Sequence, residues 1–254
     1  MKSIVITGSD GYVGGRLVRT LLESSAFPVI AWLRAASAEE REAKRQRLKA
    51  IIGDAIDHPR LRIAAGDLRD AEPFREIDPR EVGILIHSAS ITRFNVEEDL
   101  AREVNFEGAL KLFAFAEKCP GLDKLLYLST VYASGLRSGE IPEQRLDGAP
   151  GFANFYERSK WQSEEALISR FDSLPWTIAR IATIIADDDA GAVTQYNVVH
   201  NTLKLLYYGL ISLVPGEANV PLYFVTGDFI VHSIAELALG GAPSRNIYHL
   251  VHRA

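Results

Sequence analysis

Ile4-Val5-Ile6-Thr7-Gly8-Ser9-Asp10-Gly11-Tyr12-Val13-Gly14-Gly15, followed by Arg16 to Glu23, is the stretch that decides the fold. Ile4 to Ile6 read as a short buried strand. Thr7 to Gly15 read as a glycine-rich turn. In the segment from Arg16, Leu17 and Leu21, and Val18 and Leu22, recur at i,i+4 spacing, which predicts a helix. Strand, tight turn and helix in that order form a phosphate-binding device. The first N–H groups of a helix have no internal partner, and the helix dipole adds positive charge there. Glycines let the backbone turn sharply and let a pyrophosphate approach. The spacing Gly8, Gly11, Gly14 is G-x-x-G-x-x-G rather than G-x-G-x-x-G, and no Lys-Ser/Thr follows to make a Walker loop. A glycine-rich turn that binds nothing is the plain alternative.

Working outward, 254 residues with 47% hydrophobic content suffice for one sizeable core, or one α/β domain with a small lobe. The net charge of −5 offers no basic excess for nucleic acid or an anionic membrane. One cysteine, Cys119, leaves no disulfide framework and no cysteine-based metal site. A reducing cytoplasm is therefore the expected compartment. No apolar run reaches transmembrane length, and a chain that opens directly into a strand is not expected to carry a signal peptide.

Past the first helix, residues 28–33 read as a second strand ending at Arg34. In NAD-binding folds an acid near this strand end holds the ribose 2′-hydroxyl, whereas an arginine suits the 2′-phosphate of NADP. The reading favours NADPH; a merely solvated Arg34 is the alternative. Ser37 and Glu40 fit a capping box for a highly charged helix to about Ile52. Most of its cations are expected on a solvated face, with Arg47 chosen as a second phosphate ligand. The third strand, 61–65, leads to Gly66-Asp67-Leu68, where Asp67 is placed to accept from the adenine amino group or to act as a turn residue. The fourth, 82–87, is near-continuously apolar, as a strand covered on both faces should be. It opens into Ser88-Ala89-Ser90, small residues that let a cofactor lie on the backbone. His87 reads as a satisfied buried histidine in preference to a catalytic one.

One long helix is expected over 97–118, with Asn105 either at its surface or holding a water near the active site. The fifth strand, 124–128, delivers Ser129-Thr130 to the carboxyl edge of the sheet, where open parallel sheets bind ligands. After a polar loop comes Tyr156-Glu157-Arg158-Ser159-Lys160. Y-x-x-x-K on a helix puts both side chains on one face, and an ammonium beside a phenol is expected to lower the tyrosine pKa from about 10. That would make Tyr156 a proton donor or acceptor near neutral pH. A single sixth strand is expected over 175–185. Asp187-Asp188-Asp189 reads as a solvated turn in preference to a metal site. A helix over 197–209, a loop and short strand over 215–225, a helix over 230–239 and a last strand over 246–251 complete the chain.

These pieces together resemble the extended short-chain dehydrogenase/reductases. Within them the chain is similar to the thioester reductase branch, which includes reductase domains of nonribosomal peptide synthetases and carboxylic acid reductases, and fatty acyl-CoA reductases. The matching motifs are T-G-x-x-G-Y-x-G at Thr7 to Gly14, L-R-A at Leu33 to Ala35, G-D-L at Gly66 to Leu68 and I-H-S-A-S at Ile86 to Ser90. V-N-x-x-G at Val104 to Gly108, L-S-T at Leu128 to Thr130, F-Y-E-R-S-K-W at Phe155 to Trp161 and the segment Val225 to Val231 continue them. The resemblance implies a Rossmann-type doubly wound parallel sheet over about 1–185. A small C-terminal substrate lobe would follow over about 186–245, with the last strand at 246–251, all one domain. It implies Thr130, Tyr156 and Lys160 as the catalytic group, with Lys160 also holding the nicotinamide ribose. Thr7, Gly8, Gly11, Tyr12, Val13 and Gly14 would hold the pyrophosphate and Arg34 with Arg47 the 2′-phosphate. Asp67 and Leu68 would take the adenine, and Ala89 and Ser90 the ribose side. No metal is implied. Two departures stand out. Ile181 and Ala186 replace a proline and a glycine usual after Arg180, and the chain ends soon after its last strand, where relatives carry more substrate-lobe sequence.

The expected activity is NADPH-dependent reduction of an acyl thioester, borne by CoA or a carrier protein, to an aldehyde or alcohol. A nucleotide-sugar epimerase, a dehydratase or a small-carbonyl reductase of the same superfamily is the second reading, and a catalytically silent NADP-binding sensor the third.

Overall fold

The computed structural model describes residues 2–187, 191, 196–213 and 222–252. Its strands are β1 (Ser3–Thr7), β2 (Val29–Arg34), β3 (Leu61–Gly66), β4 (Val82–His87), β5 (Lys124–Thr130), β6 (Trp176–Ile181), β7 (Thr183–Ala186), β8 (Phe224–Thr226) and β9 (Asn246–Leu250). The helices are α1 (Tyr12–Ser24), α2 (Ala38–Ile52), α3 (Glu98–Ala101), α4 (Gly108–Glu117), α5 (Phe155–Arg170), α6 (Val198–Tyr207) and α7 (Gly227–Leu239). Seven strands pair in parallel in the order β3-β2-β1-β4-β5-β6-β9. This is the doubly wound order with one strand added beyond β6. Every residue of β1, β4 and β5 is buried, which is why their apolar runs do not alternate.

Each face of the sheet carries its own core. On one, Leu17 and Leu21 of α1, Leu48 of α2 and Ile234 of α7 pack against Ile4, Ile6, Ile86 and Leu126. On the other, Phe113 of α4 and Leu167 of α5 pack against Val5, Leu85, Tyr127 and Ile178. The chain switches faces between β1 and β4, so the crevice of the fold opens there, above the carboxyl ends of the strands.

Two expectations about elements are corrected. The long helix does not run uniformly: residues Arg102–Glu107 form a π-helical turn between α3 and α4. A wide turn of this kind re-aims the side chains it carries, and here it buries Asn105. The sixth strand also divides. Its main-sheet part ends at Ile181, and after Ala182 the chain enters a separate two-stranded sheet in which β7 pairs with β8. Ala182 N already bonds Leu250 O of β9, which closes the main ladder at that point.

Candidate active site

The glycine turn is built by contact. Gly8 sits at φ +69°, and a Cβ there would lie 2.8 Å from Ala89 Cα. A Cβ on Gly14 would lie 2.2 Å from Gly8 O. Both positions exclude any side chain, and the space so kept is the cradle a pyrophosphate needs. Helix α1 opens at Gly11 with no side-chain cap and no acid in its first turn, so its N–H groups face the crevice uncompensated. In parallel register, Thr7 faces His87 across β1 and β4. Thr7 Oγ1 accepts from Ser88 N (3.2 Å) and Ala89 N (3.1 Å), which leaves its proton for His87 Nδ1 at 2.8 Å. His87 is wholly buried, and burial pushes its imidazole down to about 3, so it is a neutral structural acceptor, as expected.

Gly8, Asp10, Gly11, Tyr12 and Val13 of the turn line one cavity of about 950 Å³ at the carboxyl edge together with Arg34, Lys44, Arg47, Asp67, Leu68, Ala89, Ser90, Thr130, Tyr156 and Lys160, whereas Thr7 and Gly14 stand behind its wall. Motifs spread along the chain from Gly8 to Lys160 therefore converge. Asp67 is held by Arg69, which donates through Nε (3.0 Å) and NH2 (2.7 Å) and keeps its carboxyl below the usual range. Arg34 leans toward Glu40 at 3.6 Å. Lys44, which sequence reasoning assigned to a solvated face, points into the cavity and pairs with Asp10 at 2.6 Å.

At the other end, Asn154 caps α5 by accepting from Glu157 N at 3.0 Å, while Glu157 reaches back to Ala153 N at 3.0 Å. This fixes the first turn that carries Tyr156. One turn on, Lys160 Nζ donates to Leu128 O at 2.6 Å and lies 4.2 Å from the centre of the Tyr127 ring. The lysine is 3% exposed, and burial lowers its pKa to about 7, against the pull of Glu164. The expected lowering of the Tyr156 phenol is not found. Burial pushes it up to about 12, with the Thr130 hydroxyl acting in the opposite direction. The reason is geometric: the lysine head is committed to a main-chain carbonyl, not to the phenol.

Asn105 is corrected as well. It holds no surface position and has no capacity left for a water. Its Oδ1 accepts from Ser90 Oγ (3.0 Å) and Ile91 N (2.8 Å), and its Nδ2 donates to Ile91 O (3.0 Å) and Ser159 Oγ (3.1 Å). It thereby joins the cofactor wall to the helix carrying Tyr156. Asp187 is not a solvated turn residue either. Tyr12 Oη donates to its Oδ1, Arg16 pairs with its Oδ2 at 2.5 Å, and the Arg16 guanidinium lies 3.9 Å over the Tyr12 ring. Asp188 and Asp189 lie outside the described residues.

Sequence reasoning missed two clusters, one beside Tyr156 and one behind Thr130. Phe94 packs on both Tyr132 and Tyr156, and Tyr132 Oη shares a 2.8 Å hydrogen bond with Thr183 Oγ1. Behind Thr130, Ser129 Oγ donates to Glu164, which forms a wholly buried pair with Arg180 at 2.7 Å. Arg180 NH2 also donates to Gln144 O at 3.1 Å and so pins the loop before α5. Only Tyr132, two residues after Thr130, had a sequence cue, since it follows a strand end already marked as the ligand edge.

A glycine cradle over an uncapped helix at the switch point, in one cavity with Tyr156 and Lys160, defines an oxidoreductase of the short-chain dehydrogenase/reductase type with a nicotinamide cofactor. The chain belongs to the NAD-binding family described as male sterility protein, whose model matches residues 6–234. It is 29% identical over 164 residues to fatty acyl-CoA reductase 2, chloroplastic, of Arabidopsis thaliana, covering 56% of this chain and 26% of that protein. It is 26% identical over 260 residues to isonitrile lipopeptide synthase of Streptomyces coeruleorubidus, covering 94% of this chain and 17% of that protein. The chain thus spans about a quarter or less of these two relatives. The terminal R domain from the myxalamid PKS-NRPS biosynthetic pathway superposes with a TM-score of 0.86 at 22% identity, over 100% of this chain and 66% of that one. A dTDP-glucose 4,6-dehydratase from Streptomyces venezuelae, with NAD and TYD bound, superposes with a TM-score of 0.71 at 23% identity, over 98% of this chain and 75% of that one. Among the described residues no helix is long and apolar enough to cross a membrane.

Proposed function

We propose that the chain reduces an acyl thioester, carried on CoA or on a carrier protein, using NADPH. The observation that supports this is the single cavity that holds the glycine cradle, three cations at its adenine end and Thr130, Tyr156 and Lys160 at its other end. The cradle around Gly8 and Gly14 and the free N–H groups of α1 suit a pyrophosphate, and Arg34 with Lys44 and Arg47 suits a 2′-phosphate. When bound, the nicotinamide supplies hydride to the thioester carbonyl carbon.

The residues do the rest. With a pKa of about 12, Tyr156 is protonated at neutral pH and enters as the acid. Its proton goes to the carbonyl oxygen as charge develops there, while the Thr130 hydroxyl donates to the same oxygen. The resulting hemithioacetal expels thiol and leaves an aldehyde; a second turnover would give the alcohol. Lys160, held against Leu128 O and the Tyr127 ring, would hold the nicotinamide ribose with its remaining N–H donors. Segments 183–186 and 198–207, which border the cavity, act as the substrate lobe. A cytoplasmic setting fits a single, buried, unpaired Cys119.

The test is a panel of acyl-CoA and carrier-bound thioesters, aldehydes and nucleotide sugars, followed by NADPH absorbance. Thioester turnover that vanishes in Tyr156→Phe, with NADPH binding retained, is the expected result. Turnover of nucleotide sugars alone would overturn the reading.

A further inference from the structure

We propose that Asp10 sets how strongly this site prefers a 2′-phosphorylated cofactor, by acting as a resident anion that competes with the phosphate for Lys44. The inference rests on the NADPH reading and sharpens it. Asp10 belongs to the glycine turn, yet its carboxylate projects toward α2. Lys44 Nζ pairs with Asp10 Oδ2 at 2.6 Å, and Arg47 NH1 lies 3.9 Å from the same oxygen. The pair is largely shielded, with side chains 16% and 11% exposed, and all three residues line the cavity together with Arg34. The cations at the adenine end are thus already partly neutralised from inside the fold. Arg34 has its own neighbour, Glu40, whose carboxylate also accepts from Ala36 N at 2.9 Å.

The consequence follows from charge. In dinucleotide folds the acid that accepts from the ribose 2′-hydroxyl usually stands at the end of β2. Here that place is held by Arg34, and an acid reaches the same end of the cavity from the β1 turn instead. A 2′-hydroxyl can donate to Asp10. A 2′-phosphate cannot: it meets like charge and must draw Lys44 away from a 2.6 Å partner. Asp10 therefore favours the unphosphorylated nucleotide, while Arg34, Lys44 and Arg47 favour the phosphorylated one. The observed preference is the difference between them.

Calorimetric titration of the purified chain with NADP⁺ and NAD⁺ reads this without turnover. The ratio of their dissociation constants is measured in the wild type, Asp10→Asn, Asp10→Ser and Lys44→Met, with a thermal melt to establish folding. Removing one negative charge beside a dianion across a hydrated gap is worth about tenfold. The ratio is expected to move about tenfold toward NADP⁺ in Asp10→Asn and Asp10→Ser, and about tenfold away from it in Lys44→Met. An unchanged ratio in any folded variant of this set, or movement of an Asp10 variant toward NAD⁺, overturns the proposal. The underlying NADPH reading is scored separately, by the wild type alone: it fails if the unmodified chain binds NAD⁺ as tightly as NADP⁺.

Discussion

Asn105 offers the sharpest test of how the site is assembled. Its four hydrogen bonds use its whole capacity, and they bridge the Ser90–Ile91 segment to Ser159 on α5. In Asn105→Ala the two serine hydroxyls can turn elsewhere; Ser159 Oγ already donates to Tyr156 O at 2.8 Å. Ile91 N and Ile91 O lose the partners seen here. Orphaning a buried polar group costs about 1–3 kcal/mol, so the two amount to roughly 2–6 kcal/mol, reduced where water reaches the half-buried Ile91. A value near 3 kcal/mol lowers the melting temperature of a chain this size by about 6–12 °C. Asn105→Asp keeps the volume and one acceptor but turns an oxygen toward Ile91 O, and should cost at least as much. Differential scanning calorimetry with urea titration measures both. Melting within about 2 °C of the wild type in both variants would refute the bridging role.

Three further outcomes are expected. Gly14→Ala, whose Cβ would meet Gly8 O at 2.2 Å, should keep the chain folded yet weaken dinucleotide binding by about tenfold or more, as measured by fluorescence titration. Arg180→Met leaves Glu164 buried without its partner and should cost about 3–5 kcal/mol, while Arg180→Met with Glu164→Leu recovers part of it; a double variant no more stable than the single one contradicts that. For Lys160 the folded pKa of about 7 lies below its ordinary 10.5, so from pH 7 to 10.5 the unfolded chain holds more protons and this group makes stability rise with pH. Below pH 7 the full cost of the buried cation remains. The melting temperature of the ligand-free protein should therefore climb between pH 7 and 9, and Lys160→Met should flatten that climb.

What was legible in the chain was local. The glycine turn, the covered strands and the Tyr156–Lys160 pair each declare themselves within a few residues, through backbone space or helical spacing. The order of those pieces then placed them on one sheet edge. What stayed hidden depends on partners far away in sequence. Asp187 looked solvated because its partners, Tyr12 and Arg16, lie more than 170 residues earlier. Lys44 looked like one of several surface cations because its partner is in the β1 turn. The π-helical turn at Arg102–Glu107 leaves the helical periodicity nearly intact, so nothing marked Asn105 as buried. The Tyr156 phenol was misjudged for a related reason: spacing shows that an ammonium is near, but burial and the direction of the Lys160 head decide the shift.

The central claim is that Thr130, Tyr156 and Lys160 are there to reduce a thioester carbonyl with the cofactor held by the glycine turn. Single-turnover mixing of the NADPH-loaded chain with an acyl-CoA, following NADPH absorbance and released thiol together, addresses it most directly. One thiol is expected for each NADPH first consumed, and Tyr156→Phe should abolish both signals while NADPH still binds. Thiol release without NADPH oxidation, or undiminished rates in Tyr156→Phe, would contradict it.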